Sequence, residues 1–287
     1  MKQPNVIFIS GITGSLGTAV TKELLKRFKH IKILGYSRCE HRQKQFLKDR
    51  RVVLTLGDVR DRERVLEATR GADIIFHFAA LKHVDTLEEN PEESFKTNVL
   101  GTDNILHAQR IHGIERVVFS STDKSVEPVN AYGASKMLAN KLVLRNPNNV
   151  VTLYGNVIAS NGSVIPLFVK SLLKEKTVYI TSELMTRFLI RLEDAAKFVV
   201  DCGLGKTGGL KIPEMKGCKV TDIADAVSEI LGVKSYKKKF IGIRPGEKLS
   251  EWLVSKHDGA EVNSDNCGRF TRSELVELIR PSVEALL

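Results

Sequence analysis

The sequence predicts an α/β fold in which a doubly wound parallel sheet is followed by a smaller C-terminal region. Three observations predict it. Short apolar runs alternate with longer amphipathic segments, a glycine-rich run follows the first apolar run directly, and the alternation loosens beyond about residue 155. Strands that are buried on both faces read as continuous apolar runs, as these do. We therefore expect one domain over residues 1–155 and a second region over residues 156–287, with segments that cross back.

The predicted strands are the short apolar runs, at 6–10, 31–35, 52–56, 74–78, 117–121 and 150–153. The predicted helices between them have apolar residues at helical spacing and span 15–28, 39–48, 61–69, 92–111 and 131–144. Later helices are predicted at 164–174, 192–202 and 221–231. Open α/β sheets bind ligands outside the carboxyl ends of their strands, so we expect the second half to cover a substrate there.

The composition excludes several classes of protein. Its 42% hydrophobic and 27% charged residues are values of a globular chain. The net charge of +10 is spread along the chain without interleaved aromatic residues, so nucleic-acid binding is not expected. No apolar run is long enough for membrane insertion. The cysteines show no metal-ligand spacing, so we expect no metal site and a cytoplasmic location; they are Cys39, Cys202, Cys218 and Cys267.

A glycine-rich run between the first strand and the first helix predicts a dinucleotide site in a Rossmann-like sheet. Glycines allow a tight turn and a close approach of the backbone to a pyrophosphate, and the N-terminus of the helix attracts the phosphate charge. The residues expected to contact the cofactor here are Gly11, Thr13, Gly14, Ser15, Leu16 and Gly17.

The residues after the second strand indicate which dinucleotide binds. An NAD-specific site usually offers a carboxylate to the ribose at this point, whereas this chain has Ser37 and Arg38. A hydroxyl and a guanidinium suit a 2′-phosphate, with Arg42 or Lys44 as further contacts. NADP is therefore predicted, with NAD as the alternative. From their position at the end of the third strand, Asp58 and Val59 are expected near the adenine.

A tyrosine and a lysine at helical spacing predict a redox site. Tyr132 and Lys136 lie four residues apart on one face of a predicted helix. The lysine ammonium can lower the pKa of the phenol, so the phenolate can act as a base at a sugar hydroxyl. The strand before this helix ends in Thr122, Asp123 and Lys124.

In these motifs the chain resembles the extended short-chain dehydrogenase/reductases. It is specifically similar to the inverting UDP-N-acetylglucosamine 4,6-dehydratases among the polysaccharide biosynthesis proteins. The resemblance covers nearly the whole chain and rests on FAALKHV at 78–84, KTNV at 96–99, STDK at 121–124, NAYGASK at 130–136, YGNV at 154–157, MTRF at 185–188 and IGIRPGEK at 241–248.

The resemblance implies a role for each catalytic residue. Tyr132 removes the proton of the 4-hydroxyl while C4 is oxidised, and Thr122 hydrogen-bonds near that oxygen. Lys124, as a neutral amine, removes the C5 proton, and Asp123, in its acid form, protonates the departing 6-hydroxyl. Return of the proton to the other face of C5 inverts that centre. Lys136 assists Tyr132.

The resemblance also implies binding residues. Further cofactor contacts are expected at Ala79, Ala80, Lys82 and Asn98. Substrate contacts are expected at Lys82, Asn156, Val164, Arg187, Arg244 and Glu247 and along the segment 163–166. Within this set, Arg244 is expected to bind the diphosphate of a UDP-sugar and Glu247 its ribose. A homo-oligomer is expected, with the helices at 92–111 and 131–144 as one surface that can pair.

Other functions remain open at this point. A UDP-sugar 4-epimerase or a UDP-glucose 4,6-dehydratase would share the glycine run and the Tyr132/Lys136 pair. An epimerase needs no acid/base pair, and retaining dehydratases carry Asp-Glu there, so Lys124 favours inversion at C5. An NADP-binding sensor or scaffold without activity is a further alternative. The chain departs from the family pattern after about His257, including residues 263–267.

Overall fold

The computed structural model describes residues 4–158, 164–255, 257, 259 and 261–287, and these form two compact units. The first unit comprises Met1–Leu153 and Glu193–Pro213, and the second comprises Tyr154–Leu192 and Glu214–Leu287. The first division falls next to the boundary predicted at residue 155. Residues 193–213, however, belong to the first unit.

The strands are β1 (Val6–Ser10), β2 (Lys32–Ser37), β3 (Val52–Leu56), β4 (Ile74–His77), β5 (Arg116–Ser120), β6 (Val150–Thr152), β7 (Asn156–Val157), β8 (Thr177–Ile180), β9 (Thr186–Ile190), β10 (Gly209–Lys211), β11 (Gly217–Lys219), β12 (Lys237–Phe240), β13 (Trp252–Val254) and β14 (Val262–Asn263). The α-helices are α1 (Ser15–Arg27), α2 (Glu40–Lys44), α3 (Arg62–Ala68), α4 (Val84–Glu89), α5 (Pro91–Ser94), α6 (Gly101–His112), α7 (Ala131–Val143), α8 (Val164–Glu175), α9 (Leu192–Leu204), α10 (Val220–Ile230) and α11 (Arg272–Glu284).

The first unit is built on a seven-stranded parallel sheet in the order β10-β6-β5-β4-β1-β2-β3. The chain moves outward from β1 to β3 and then returns to place β4 on the other side of β1. Ligands bind at such a reversal, because the loops after the two central strands diverge there. The predicted doubly wound parallel sheet is confirmed.

The helix predicted at 92–111 is three helical segments in the structure. A π-helix, Phe95–Leu100, separates α5 from α6. Such segments are rare and frequently occur at functional sites. This one contains the KTNV motif, which includes Asn98, a predicted cofactor contact.

The helix predicted at 192–202 lies in the first unit, although it follows the boundary predicted at residue 155. It forms α9, and the following β10 pairs with β6 at the edge of the central sheet. A Cβ on Gly203, near the end of α9, would lie 2.7 Å from the ring of Phe76 on β4. The apolar side of α9 therefore packs closely on the sheet, and this helix belongs to the core of the first unit.

In its described residues, the second unit packs three helices around its own apolar core. The core side chains on α8, α10 and α11 include Phe168, Leu172, Ile223, Val227 and Ile279, each at most 3% exposed. Three small sheets accompany them, with the orders β11-β9-β7, β12-β8 and β13-β14. In the described part of the chain, no helix is both long and apolar enough to cross a membrane.

Candidate active site

The turn after β1 packs directly on the loop after β4. Gly11 has a φ of +70°, and a Cβ there would lie 2.7 Å from the backbone nitrogen of Ala79. A Cβ on Gly17 would lie 2.4 Å from the carbonyl oxygen of Gly11. Only glycine permits either approach, so the glycine spacing serves the tight turn at the N-terminus of α1.

A cleft of about 210 Å³ opens beside this turn. It is lined by Gly11, Thr13, Gly14, Tyr36, Ser37, Arg38, Cys39, Arg42, Gly57, Val59, Phe78, Ala79, Ala80 and Thr97. Eight of the residues predicted to bind the cofactor are therefore brought together, from four separate loops. The predicted contacts that do not line the cleft are Ser15, Leu16, Gly17, Asp58, Lys82, Asn98, Tyr132 and Lys136.

The end of β2 presents donors to one end of this cleft. Gln43 donates to the hydroxyl oxygen of Ser37 at 3.0 Å and to the carbonyl oxygens of Ser37 and Thr55 at the same distance. The Ser37 hydroxyl thus keeps its own proton for donation. Arg38 and Arg42 are exposed and line the cleft. A hydroxyl and two guanidinium groups at one end form a suitable site for a phosphate.

Asp58 does not join this group of lining residues. Its carboxylate binds Arg60 at 2.7 Å and lies 3.5 Å from Arg38. Burial acts to raise the pKa of Asp58, but the hydrogen bonds and charges of the arginines outweigh it and lower that pKa. The carboxylate therefore neutralises arginines, and the neighbouring Val59 supplies the apolar wall of the cleft.

Thr97 gives an independent indication that the cleft takes a polar ligand. Its side chain lies on the π-helix, lines the cleft and is 2% exposed. Among the described residues, its Oγ1 has no hydrogen-bond partner. A buried hydroxyl without a partner costs free energy unless a ligand or water satisfies it. Together with the glycine turn, this hydroxyl fits a nucleotide cofactor in the cleft.

The predicted acid and base lie on a tight turn at the end of β5. Asp123–Ser125 form a 3₁₀ turn, and the Thr122 hydroxyl accepts the backbone N–H of Lys124 and donates to Asp123 Oδ1 at 3.0 Å. Lys124 Nζ lies 3.1 Å from the same Oδ1. The Asp123 side chain is fully buried, whereas Lys124 is 19% exposed. The Lys124 amine can therefore face a ligand while the Asp123 carboxyl group holds that amine in place.

Helix α7 is packed against this turn through a glycine. Asn130 caps the helix by accepting the N–H of Gly133 at 2.6 Å. A Cβ at Gly133 would lie 2.2 Å from the carbonyl oxygen of Lys124, so only glycine allows the helix to come this close. Tyr132, the neighbouring residue, is half-buried. The sequence analysis did not identify Gly133, although the glycine stands between the predicted residues.

Lys136 is buried beneath the same helix. It is 4% exposed, donates to the carbonyl oxygen of Ser120 at 2.5 Å and lies 3.8 Å from the centre of the Phe119 ring. Burial lowers the pKa of Lys136 to about 7. The contact with an aromatic face partly compensates the charged form for lost water. Lys136 can thus hold or release a proton near neutral pH.

Asn98 holds the loop that leads to Lys82. It accepts the backbone N–H of Leu81 at 2.9 Å and donates to the Leu81 carbonyl at 3.0 Å and to Ser135 at 3.0 Å. Lys82 is exposed, and the protein around its ammonium lowers its pKa by desolvation. Asn98 therefore acts on the loop backbone from beneath, which explains why it does not line the cleft.

The second unit contains the predicted substrate clamp. Arg244 and Glu247 form an ion pair with 2.5 Å between Nη2 and Oε1, and the arginine side chain is 61% exposed. Burial acts to raise the pKa of Glu247, but Arg244 and a hydrogen bond from Thr181 outweigh it and lower that pKa. Glu247 is therefore a carboxylate at neutral pH, as an acceptor for ribose hydroxyls must be.

Arg187 supports the clamp segment from within the unit. Its guanidinium donates to the carbonyl oxygens of Thr186, Lys248 and Leu249 at 2.6 to 3.0 Å, and the residue is 8% exposed. These three bonds give the predicted phosphate ligand a structural role in the chain that follows Arg244. Lys248 also pairs with Glu251 at 3.0 Å in a nearly fully buried ion pair.

The segment that departs from the family pattern forms a second support. Ser264 is fully buried; its hydroxyl lies 2.7 Å from that of Thr186 and accepts the N–H of Glu251 at 3.0 Å. Its own N–H donates to the Glu251 carbonyl at 2.9 Å.

Two other predicted substrate residues lie elsewhere in the second unit. Asn156 lies on β7, which pairs with β9, and Val164 begins α8. Ser163 lies outside the described residues.

The comparisons with known proteins settle the family. The family model described as polysaccharide biosynthesis protein matches residues 7–271, which is most of the chain. The chain belongs to the polysaccharide biosynthesis protein family. Among the described residues of this family member, no group of three His, Cys, Asp or Glu side chains is placed to hold a metal ion.

Two kinds of curated relative resemble this polysaccharide biosynthesis protein at similar identity. One from Campylobacter jejuni, named UDP-N-acetylglucosamine 4,6-dehydratase (inverting), is 42% identical over 88% of this chain and 78% of its own length. One from Rickettsia akari, named UDP-glucose 4-epimerase, is 40% identical over 93% of this chain and 82% of its own. Overall identity alone therefore does not separate the two activities.

Solved structures share the fold of the family member over nearly its whole length. Pen from Bacillus thuringiensis superposes with a TM-score of 0.90 at 29% identity and covers 99% of this chain and 98% of that one. DesIV, a dTDP-glucose 4,6-dehydratase from Streptomyces venezuelae solved with NAD and TYD bound, gives 0.79 at 22% identity, with 97% of both chains covered. At 22% identity, the similarity to DesIV concerns the fold alone.

Proposed function

We propose that this chain is a UDP-N-acetylglucosamine 4,6-dehydratase that inverts C5 and produces a UDP-4-keto-6-deoxyhexosamine for surface glycan synthesis. The observation that carries the proposal is the buried contact between Lys124 and Asp123 at the end of β5. An epimerase needs only the Tyr132/Lys136 pair, because it exchanges no proton at C5 and loses no water. The Campylobacter relative named as an inverting dehydratase supports the same activity.

The contact of Lys124 with Asp123 explains how both residues reach the forms that the reaction needs. An ion pair and a neutral pair hold the same number of protons and differ by one transfer over the 3.1 Å between Nζ and Oδ1. A low dielectric disfavours the charged pair, and Asp123 is fully buried. In the neutral pair, Lys124 is a base for the C5 proton and Asp123 an acid for the departing 6-hydroxyl.

Tyr132 and Lys136 act at the 4-hydroxyl in this proposal. The phenolate of Tyr132 removes the hydroxyl proton, and the Lys136 ammonium, one helical turn along α7, stabilises that phenolate. Thr122 orients the acid through its 3.0 Å bond to Asp123. A bound nicotinamide dinucleotide supplies a hydride acceptor and donor to the sugar. The proton returned by Lys124 to the opposite face of C5 sets the inverted configuration.

The cofactor proposed for this site is NADP. Its support is the phosphate site of Ser37, Arg38 and Arg42 at one end of the cleft, where a carboxylate would repel a 2′-phosphate. The glycine turn and the Thr97 hydroxyl would hold the remaining polar groups of the dinucleotide.

A UDP-sugar as substrate and a homo-oligomer as the active form complete the proposal. Arg244 and Glu247 offer a guanidinium to a diphosphate and a carboxylate to a ribose. Helices α6 and α7 pack together, and the region around them exposes large apolar side chains, at Phe95, Leu100, Ile111, Val129 and Leu138. We propose that a second copy covers this face. The four free thiols suit a reducing cytoplasm.

Proton NMR of the reaction in deuterated water tests this function. The purified protein is incubated with UDP-N-acetylglucosamine and NADP⁺ without added reductant. We expect a 4-keto-6-deoxy product with deuterium at an inverted C5. A 4-epimer that retains its 6-hydroxyl would instead establish the epimerase, and conversion of UDP-glucose alone would change the substrate.

Variants test the proposed role of Lys124 as the base for the C5 proton. Lys124→Gln should lower product formation by at least about 100-fold, because a general base contributes about 10²- to 10⁴-fold. Lys141→Gln, on the outer side of α7, is the matched control and should retain the wild-type rate. Equal turnover by both variants would refute the role of Lys124. Cofactor binding without turnover of any UDP-sugar would point to the sensor.

A further inference from the structure

His77 lies at the centre of a buried hydrogen-bond chain that none of the proposed catalytic steps uses. It ends β4 and is fully buried. Its Nδ1 lies 2.6 Å from the hydroxyl oxygen of Ser10, and its Nε2 lies 3.1 Å from that of Thr102. Thr102 in turn donates to the carbonyl oxygen of Asn98 at 2.6 Å.

The neighbouring N–H donors determine which atoms donate and which accept along this hydrogen-bond chain. Ser10 Oγ already accepts the backbone N–H groups of Phe78 at 3.2 Å and Ala79 at 3.3 Å, which occupy both of its lone pairs. Its proton must therefore point to Nδ1 of His77. The other nitrogen then carries the hydrogen and donates to Thr102, whose own proton goes to Asn98. Burial and the nearby Lys136 charge lower the pKa of His77 to about 3, in agreement with a neutral ring.

The two ends of this hydrogen-bond chain, Ser10 and Asn98, hold the two ends of one loop. Ser10 fixes the loop after β4 at Phe78 and Ala79, where the loop lines the cofactor cleft. Asn98 fixes the same loop at Leu81 through both its amide oxygen and its amide nitrogen. The imidazole of His77 connects Ser10 to Asn98, through Thr102, as a rigid link.

We propose that His77, as the neutral Nε2–H tautomer, is a positioning residue that keeps the loop from Phe78 to Leu81 in the shape that binds the cofactor. The inference rests on the proposed cofactor site. It assigns His77 no contact with substrate or cofactor. Loss of one link should loosen the loop and weaken dinucleotide binding without removing any ligand group.

The test compares two threonines that share one local geometry. Thr102 and Thr69 are both fully buried, and each donates its hydroxyl to the carbonyl oxygen four residues earlier, Asn98 and Val65. Only Thr102 belongs to the chain through His77. Both variants should lower the melting temperature by a few degrees: Thr69→Val removes the hydroxyl that donates to Val65, and Thr102→Val removes both the donation to Asn98 and the acceptor of the His77 Nε2–H. Only Thr102→Val should raise the Kd for NADP⁺, by about five- to tenfold.

Two further measurements accompany the Kd values, one on the wild-type protein and one on the two variants. The ¹⁵N shifts of His77 should report an unprotonated Nδ1 and a protonated Nε2 at pH 6. Hydrogen exchange of the Leu81 amide should be faster in Thr102→Val than in Thr69→Val. A proton on Nδ1, or equal Kd values for the two variants, would overturn the inference while the cofactor site stands. A wild-type protein that binds neither NADP⁺ nor NAD⁺ would overturn the proposed cofactor site itself.

Discussion

Replacement of Gly133 by alanine tests whether the distance between α7 and the Asp123–Ser125 turn matters for catalysis. The new Cβ would lie 2.2 Å from the carbonyl oxygen of Lys124, and real Cβ contacts are essentially never shorter than 3.0 Å. The helix or the turn must therefore retreat by about 0.8 Å. The obstacle is backbone, so no side-chain rotation relieves it. Tyr132 on the helix and Lys124 on the turn would move apart by this amount.

A displacement of this size has a large expected effect on the rate. Misplacement of reacting groups by about 1 Å can cost about 100-fold. We expect Gly133→Ala to lower kcat about 100-fold for formation of the 4-keto-6-deoxy product, followed by NMR at saturating substrate. Overpacking costs about 1–3 kcal/mol of unfolding free energy, and the better helix propensity of alanine offsets up to about 1 kcal/mol. The protein should therefore stay folded.

Gly203→Ala is the matched control. This glycine also lies in a helix, and a Cβ there would lie 2.7 Å from the Phe76 ring in the core of the first unit. It should lose comparable stability and keep kcat within about threefold of wild type. If Gly133→Ala retained the wild-type kcat while folded, the close approach of α7 to the turn would have no catalytic role, and the reasoning from geometry would be refuted.

Three further predictions concern single side chains. The folded pKa of Lys136 is about 7, whereas the unfolded side chain keeps its proton to about pH 10, so the unfolded state binds more protons between these two values. The unfolding free energy of the wild type should therefore rise with pH over this range, by up to about 1.4 kcal/mol per pH unit relative to Lys136→Met. Urea titrations at several pH values measure this rise. Ser264→Ala removes the link between Thr186 and Glu251, so the Kd for UDP in calorimetry should rise about fivefold while NADP⁺ binding is unchanged. Arg38→Ala should raise the Kd for NADP⁺ about tenfold and leave that for NAD⁺ within twofold; equal changes would contradict a 2′-phosphate contact.

The sequence predicted those parts of the fold that local pattern determines. Continuous apolar runs indicated the first six strands of the central sheet, although the edge strand β3 exposes Val53 and Leu56, and the glycine spacing indicated the turn at Gly11. The seventh strand, β10, was not predicted, since Gly209–Lys211 contains a single apolar side chain, Leu210. Segments that cross back were expected, but the sequence did not indicate that helix α9 would be one of them, because an amphipathic pattern shows that a helix packs on something but not on which unit.

Much of the candidate site follows from motifs because its residues come from short continuous segments. The tertiary structure alone determined how those segments hold each other. Gly133, Thr97 and His77 stood inside or beside the quoted motifs, yet their importance depends on a carbonyl nine residues away, an unsatisfied hydroxyl and a bond across 67 residues. Arg187 likewise received its three carbonyl partners only through folding.

The chemistry of this protein was thus present in its sequence as residue types at fixed spacing: a glycine turn, a tyrosine and lysine one helical turn apart, and an acid beside a base. Spacing along one element fixes which side chains share a face, so such pairs can be read directly. Only the tertiary structure determined which residues hold the loop after β4 and the loop before β13 in place. Hydrogen bonds and close contacts between distant segments depend on the final packing, and no local pattern encodes them.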